Sequence, residues 1–282
     1  MIAVAVTVHS LATMRRSGLR LSLLVQICCI CNFFLSHTAS AKSTTAWVTP
    51  HASFSSSIGV LGCKVDTDRI AYWPMAVDCD NICVALTYED RTVHLLRIDQ
   101  SEGAYDVSYD AWNYLYTGFA ATDKPTAGGA IEMTYETVDA SKCDDLVDTH
   151  GHKLPLSASN SMNYLASCLD QNDTYVGENY VLYNIADSLC TMGFDEECDL
   201  DYPAYNQASC PHTLGLAPVL NNTPVYNINY PTGEKVLAST GEVVSDTADD
   251  TSNADEESRA PVHSYTLSLM LLTLVSCFLY AS

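Results

Sequence analysis

Eight cysteines, Cys63, Cys79, Cys83, Cys143, Cys168, Cys190, Cys198 and Cys210, lie between the two apolar ends of this chain. They constrain its fold more than any other feature. An even number in a secreted chain predicts four disulfides. Roughly a hundred pairings are open to eight cysteines, so spacing leaves the connectivity undecided. Zinc is the competing use, but Cys79-x-x-x-Cys83 has no matching second pair. The histidines are not at ligand spacing either, so neither a metal nor any other cofactor is expected. The remaining cysteines, Cys28, Cys29, Cys31 and Cys277, belong to the apolar ends.

Those ends read as addresses. Arg15, Arg16 and Arg20 precede an apolar run from Leu21 to Leu35, and Ala39-Ser40-Ala41 follows it. A positive flank, a short apolar core and an A-x-A site predict a signal peptide over residues 1–41, cleaved after Ala41. Met14 offers an alternative start with a more typical length before the core. Tyr265 to Tyr280 is apolar, with a polar spacer from Asp255 to Ser264 and the small triplet Ser252-Asn253-Ala254 upstream. This order predicts a glycolipid (GPI) anchor on Ser252 or Asn253, with residues 254–282 removed. The expected location is the outer face of the plasma membrane or the cell wall, with membrane contact through the lipid alone. Two sequons, Asn172-Asp173-Thr174 and Asn221-Asn222-Thr223, predict glycosylation at Asn172 and Asn221.

Between the ends, residues 42–253 carry 31 carboxylates against nine basic side chains, a net charge near −22. So acidic a chain excludes nucleic acid as a partner, because phosphate binding needs a basic surface. Residues 42–57 are Ser/Thr-rich and read as a loose leader. Val84–Tyr88 and Thr92–Ile98 flank a Glu89-Asp90 turn and predict a β-hairpin. Ser108 as N-cap, Asp110 in the first turn and Gly118 as a stop predict a short helix over Tyr109–Tyr116. Gly128-Gly129 opens a further strand, Ala130–Val138. Residues 144–222 read as a helical, cysteine-rich extension, with apolar periodicity over Ser159–Leu169 and Tyr180–Met192. Residues 223–253 read as a flexible stalk.

The order Cys83–Tyr88, Thr92–Asp99, Gly103-Ala104-Tyr105-Asp106-Val107-Ser108, Ala111-Trp112 and Gly129-Ala130-Ile131 resembles the double-psi β-barrel superfamily. That superfamily holds barwin, expansins, family 45 endoglucanases and RlpA-like lytic transglycosylases. The resemblance covers residues 58–143. The whole chain is also similar to secreted, lipid-anchored fungal surface proteins. The resemblance implies a mainly β fold, a six-stranded double-psi β-barrel with an open groove for polysaccharide; the extension reads as an α-helical addition tied down by disulfides.

The resemblance implies that Asp106 matches the general acid of family 45 enzymes, which expansins retain, and that Asp99 matches the strand-end aspartate of the transglycosylase branch. Glycosidic cleavage needs a carboxylic acid to protonate the leaving oxygen, and inversion needs a second carboxylate to activate water. In family 45 enzymes that base follows a Tyr-Trp pair; here Tyr72-Trp73 is followed by Pro74, which cannot serve. A transglycosylase works with one acid. The alternative reading of both aspartates is structural, as acceptors for backbone N–H groups. Tyr72, Trp73 and Tyr105 are the candidate sugar-stacking rings, whereas Trp112 reads as core. His94 and Arg97 alternate to opposite faces of their strand. The run Asp195-Glu196-Glu197, Asp199, Asp201 lacks the spacing of a calcium loop and reads as a solvated turn.

These features predict a non-hydrolytic, expansin-like protein that binds or remodels cell-wall polysaccharide. The alternatives are a glycan-cleaving enzyme using Asp106 or Asp99 as its acid, and a protein-partner role such as protease inhibition. The acidic surface favours a neutral partner, glucan or chitin, over anionic polymers.

Overall fold

The computed structural model describes residues 43–244, so the expected signal peptide, anchor site and cleaved tail lie outside the described residues. Six strands close a barrel: β1 (Thr44–His51), β2 (Ile70–Trp73), β3 (Cys83–Tyr88), β4 (Arg91–Gln100), β5 (Tyr105–Ser108) and β6 (Ile131–Thr137). They run in the spatial order β1-β5-β2-β4-β3-β6. The β1–β5 and β2–β4 pairs are parallel and the other four antiparallel. Closure leaves the barrel no free edge.

Alternation along each strand builds the interior. Ala46 and Val48, Ala71 and Trp73, Val84 and Leu86, Val93 and Leu95, Val107 and Met133 all turn inward. Helix α1 (Tyr109–Thr117) packs Trp112 and Leu115 against this cluster, and the Trp112 Nε1–H donates to the Val48 carbonyl at 3.2 Å. Gly118 ends the helix at φ 81°, where a side chain would be strained. Gly128 lies so close to the Trp112 ring that a Cβ there would collide with it.

The sequence predicts a loose leader over residues 42–57, and here the structure differs. Thr44–His51 is β1, a full barrel strand between β5 and β6. Its Thr-rich outer face disguises an inner face of Ala46 and Val48, two residues too few to register as a pattern. The barrel therefore begins before residue 58.

The extension is also less helical than its periodicity suggests. Helix α2 (Met162–Leu169) forms inside the first periodic stretch, and a single turn α3 (Tyr175–Glu178) follows. Tyr180–Ile185 is instead strand β8, parallel to β7 (Leu154–Ser157) and antiparallel to β9 (Gly193–Cys198). Leu182, Tyr183, Asn184 and Ile185 are all buried. A strand covered on both faces reads as an apolar run, and a spacing of four within it imitates a helix.

The extension packs on one outer side of the barrel, where Ile70, Tyr72, Cys83, Leu96 and Ile98 meet Leu154, Leu156, Leu165, Leu182 and Ile185. Four disulfides form: Cys63–Cys190, Cys79–Cys168, Cys83–Cys143 and Cys198–Cys210. The first two join the barrel region to the extension. Residues 223–244 form no free stalk. Their hairpin, β10 (Tyr226–Ile228) and β11 (Lys235–Leu237), buries Val225, Ile228 and Val236. Asn227 Oδ1 accepts from the Phe54 N–H at 2.9 Å, and the Tyr230 hydroxyl donates to the Gly128 carbonyl at 2.6 Å. Among the described residues, no helix is long and apolar enough to cross a membrane.

Candidate functional site

Register assembles the site. Asp106 on β5 pairs with Thr49 on β1 and with Tyr72 on β2, while Tyr72 pairs in turn with Asp99 on β4, beyond a register shift at Ala71/Tyr72 that breaks the alternation after Arg97. Cross-strand partners share a face of the sheet. Thr49, Asp106, Tyr72 and Asp99 therefore make one row across four adjacent strands on the outside of the barrel. Both aspartates singled out in the sequence belong to it.

Their surroundings differ. Asp106 is half-buried, and its carboxylate accepts a hydrogen bond from the Thr49 hydroxyl. Asp99 is 9% exposed; it accepts from the Ser55 hydroxyl and, at 2.8 Å, from the Gln100 backbone N–H. A buried carboxylate with these donors holds together the segments that meet there, as the structural alternative for Asp99 supposes.

The three candidate stacking rings are split between environments, because adjacent residues on a strand face opposite ways. Tyr72 joins the outer row, yet it is 3% exposed, beneath the extension, with the His51 ring at 4.5 Å. Burial pushes its phenol well above the usual range. Trp73 and Tyr105 turn into the mouth of the barrel, where their rings lie 5.4 Å apart and Tyr135 completes a triangle at 4.5 and 5.6 Å. Trp73 is 1% exposed, which leaves no face for a sugar. The Arg97 guanidinium lies 5.9 Å from its ring and pairs with Asp78 at 3.7 Å. His94 and Arg97 do take opposite faces, pairing with Ala85 and Ala71 respectively.

Two residues of this surface escaped the sequence reading. Asp68 lies beside Tyr72 on the rim of a cavity of about 10 Å³ that His51, Thr67, Ser108 and Asn227 also line. That is room for about one water. Burial, then the charges of Asp110 and Asp66, raise its carboxyl to about 6, while Arg69 and Lys235 pull it back. Trp47 on β1 is 63% exposed, two residues from Thr49 and on the same face. The sequence carries little signal for Trp47, because Ala46-Trp47-Val48 is uniformly apolar and only closure of the barrel separates the outward indole from its inward neighbours.

The acidic run is absorbed into local structure. Asp195 pairs with Lys64 at 2.8 Å, and Glu196 accepts from Asn184 at 2.8 Å and pairs with His212 at 2.7 Å. Among the described residues, no group of three or more His, Cys, Asp or Glu side chains is placed to hold a metal ion.

No curated protein matches the chain. Residues 40–146, the segment that holds all six barrel strands, match the model of the cerato-platanin family, and the barrel is similar to a cerato-platanin domain.

Proposed function

We propose that the protein binds or remodels neutral cell-wall polysaccharide, glucan or chitin, without hydrolysing it, from a lipid-anchored position on the cell surface. Cerato-platanin family proteins are secreted, expansin-like and cell-wall-associated. The two apolar ends of the sequence support the location, and they lie outside the described residues.

One observation carries the non-hydrolytic part. Of the two aspartates in the outer row, Asp106 retains access to solvent while Asp99 is buried and held by Ser55 and Gln100. An inverting hydrolase needs two carboxylates facing one cleft. Pro74 stands where a second one is expected by resemblance. A single partly open acid fits a surface that hydrogen-bonds sugar hydroxyls.

Asp68 supports a second reading. A carboxyl that holds its proton to about pH 6 is suited to general acid work, and this one adjoins Tyr72 in the same region. The two readings separate in one experiment. The protein is incubated with insoluble glucan and chitin, and both retention and released reducing ends are measured. Retention by a polymer without release is expected, with retention weakened in Asp106→Asn. Release that disappears in Asp106→Asn or Asp68→Asn overturns the non-hydrolytic reading.

A further inference from the structure

We infer that the outer face of β1, β6 and β3, centred on Trp47 and Glu132, is a docking ledge for a cationic amino-sugar chain, a β-linked polymer of glucosamine such as deacetylated chitin. The inference rests on the polysaccharide reading and goes beyond it, adding to the neutral polymers a cationic one taken by this separate face.

The ledge is read from register. Trp47 pairs across β1–β6 with Glu132, and both are exposed. Thr45 pairs with Thr134, Thr134 with Thr87, and Thr87 with Thr92, so four threonines cross four adjacent strands beside the indole. The Thr87 and Thr92 hydroxyls are 2.8 Å apart. Glu136 stands on the same face of β6, paired with Ala85. No lysine or arginine lies among the outward residues of these strands; the outward histidines are His51 at the far end of β1 and His94 on β4. Glu132 and Glu136 form no ion pair with any described residue.

Each part suits one feature of an amino sugar. A flat indole face stacks on the apolar face of a pyranose ring. The cross-strand partner of Trp47 has its Cβ roughly 4.5–5.5 Å away, so ring substituents of a stacked sugar come within reach of the Glu132 carboxylate. An ammonium there gains a charge-assisted hydrogen bond and also meets the indole as a cation. Threonine hydroxyls donate to and accept from the sugar hydroxyls of neighbouring units. The whole chain carries a net charge of −21, which draws a polycation and repels acidic polymers.

Tryptophan fluorescence offers a direct test, because Trp73 and Trp112, the other two tryptophans, are buried. A soluble glucosamine oligomer is titrated into the protein at mildly acidic pH, where its amines are protonated, and acrylamide quenching is followed. Protection of Trp47 is expected, with affinity falling several-fold as salt is raised. Trp47→Ala should weaken binding about tenfold, and Glu132→Gln should weaken it several-fold and lessen the salt dependence. Equal, salt-independent binding of the fully acetylated oligomer overturns the inference, as does full binding by Trp47→Ala. If Trp47→Ala still adheres normally to insoluble glucan or chitin, the polysaccharide reading stands and the ledge falls alone. If the unaltered protein binds no polymer, both fall.

Discussion

Thr49 on β1 and Asp106 on β5 are partners in a parallel register, and the threonine hydroxyl donates to the carboxylate. This bond aims the one row aspartate that remains partly open. Thr49→Val keeps the shape and removes the donor. It should cost about 1 kcal/mol, a fall in Tm of about 2–4 °C, and should weaken polymer retention. Thermal melts and pull-downs check both, and an unchanged Tm would show that the bond contributes nothing.

Asp99 and Asp106 share a face but should respond oppositely to the same change. Asp99→Asn disturbs a buried acceptor of the Ser55 hydroxyl and the Gln100 N–H, and should cost roughly 1–3 kcal/mol with polymer binding intact at low temperature. Asp106→Asn should leave the melting curve nearly unchanged and reduce binding. Denaturant titrations paired with binding isotherms separate the two.

Asp68 makes stability depend on pH. Its carboxyl is raised from 3.8 to about 6, chiefly by burial. The protonated form is thus favoured in the folded state, and the contribution is full below about pH 4 and lost as pH rises through 6. Asp68→Asn should therefore raise Tm at pH 7 and leave it nearly unchanged at pH 4. Melting curves across that range check the sign; a variant that loses stability at pH 7 contradicts it.

The Cys79–Cys168 disulfide joins the segment before β3 to helix α2, closing a separation of 89 residues. Replacing both cysteines by serine should cost roughly 2–4 kcal/mol and loosen the extension before the barrel. Hydrogen exchange should show residues 154–198 opening first while β3 and β4 stay protected.

Local features were legible where neighbours in sequence are neighbours in space. The β3–β4 hairpin, with its Glu89-Asp90 turn, and helix α1, with Gly118 behind it, form where the residues predict them. The barrel and the four disulfides agree with the expected fold class. Errors gathered where a segment depends on distant partners. Thr44–His51 needs β5 and β6 to become a strand, and Tyr180–Ile185 needs β7 and β9. Residues 226–237 resemble a stalk in composition, yet Ile228 and Val236 find burial against the rest of the fold.

The sequence by itself determined the even set of cysteines, the acidic charge, the turn and cap signals, and the candidacy of Asp99 and Asp106. The first three follow from residue type and short-range spacing, and the two aspartates from the resemblance to double-psi β-barrel proteins. Tertiary structure decided which cysteines pair, that Asp99 is buried while Asp106 keeps solvent access, that Trp73 turns inward, and that Trp47 faces out beside Glu132. Those outcomes depend on barrel register, which is set by contacts between strands far apart in the chain. A shift of one residue in that register would exchange the inner and outer faces.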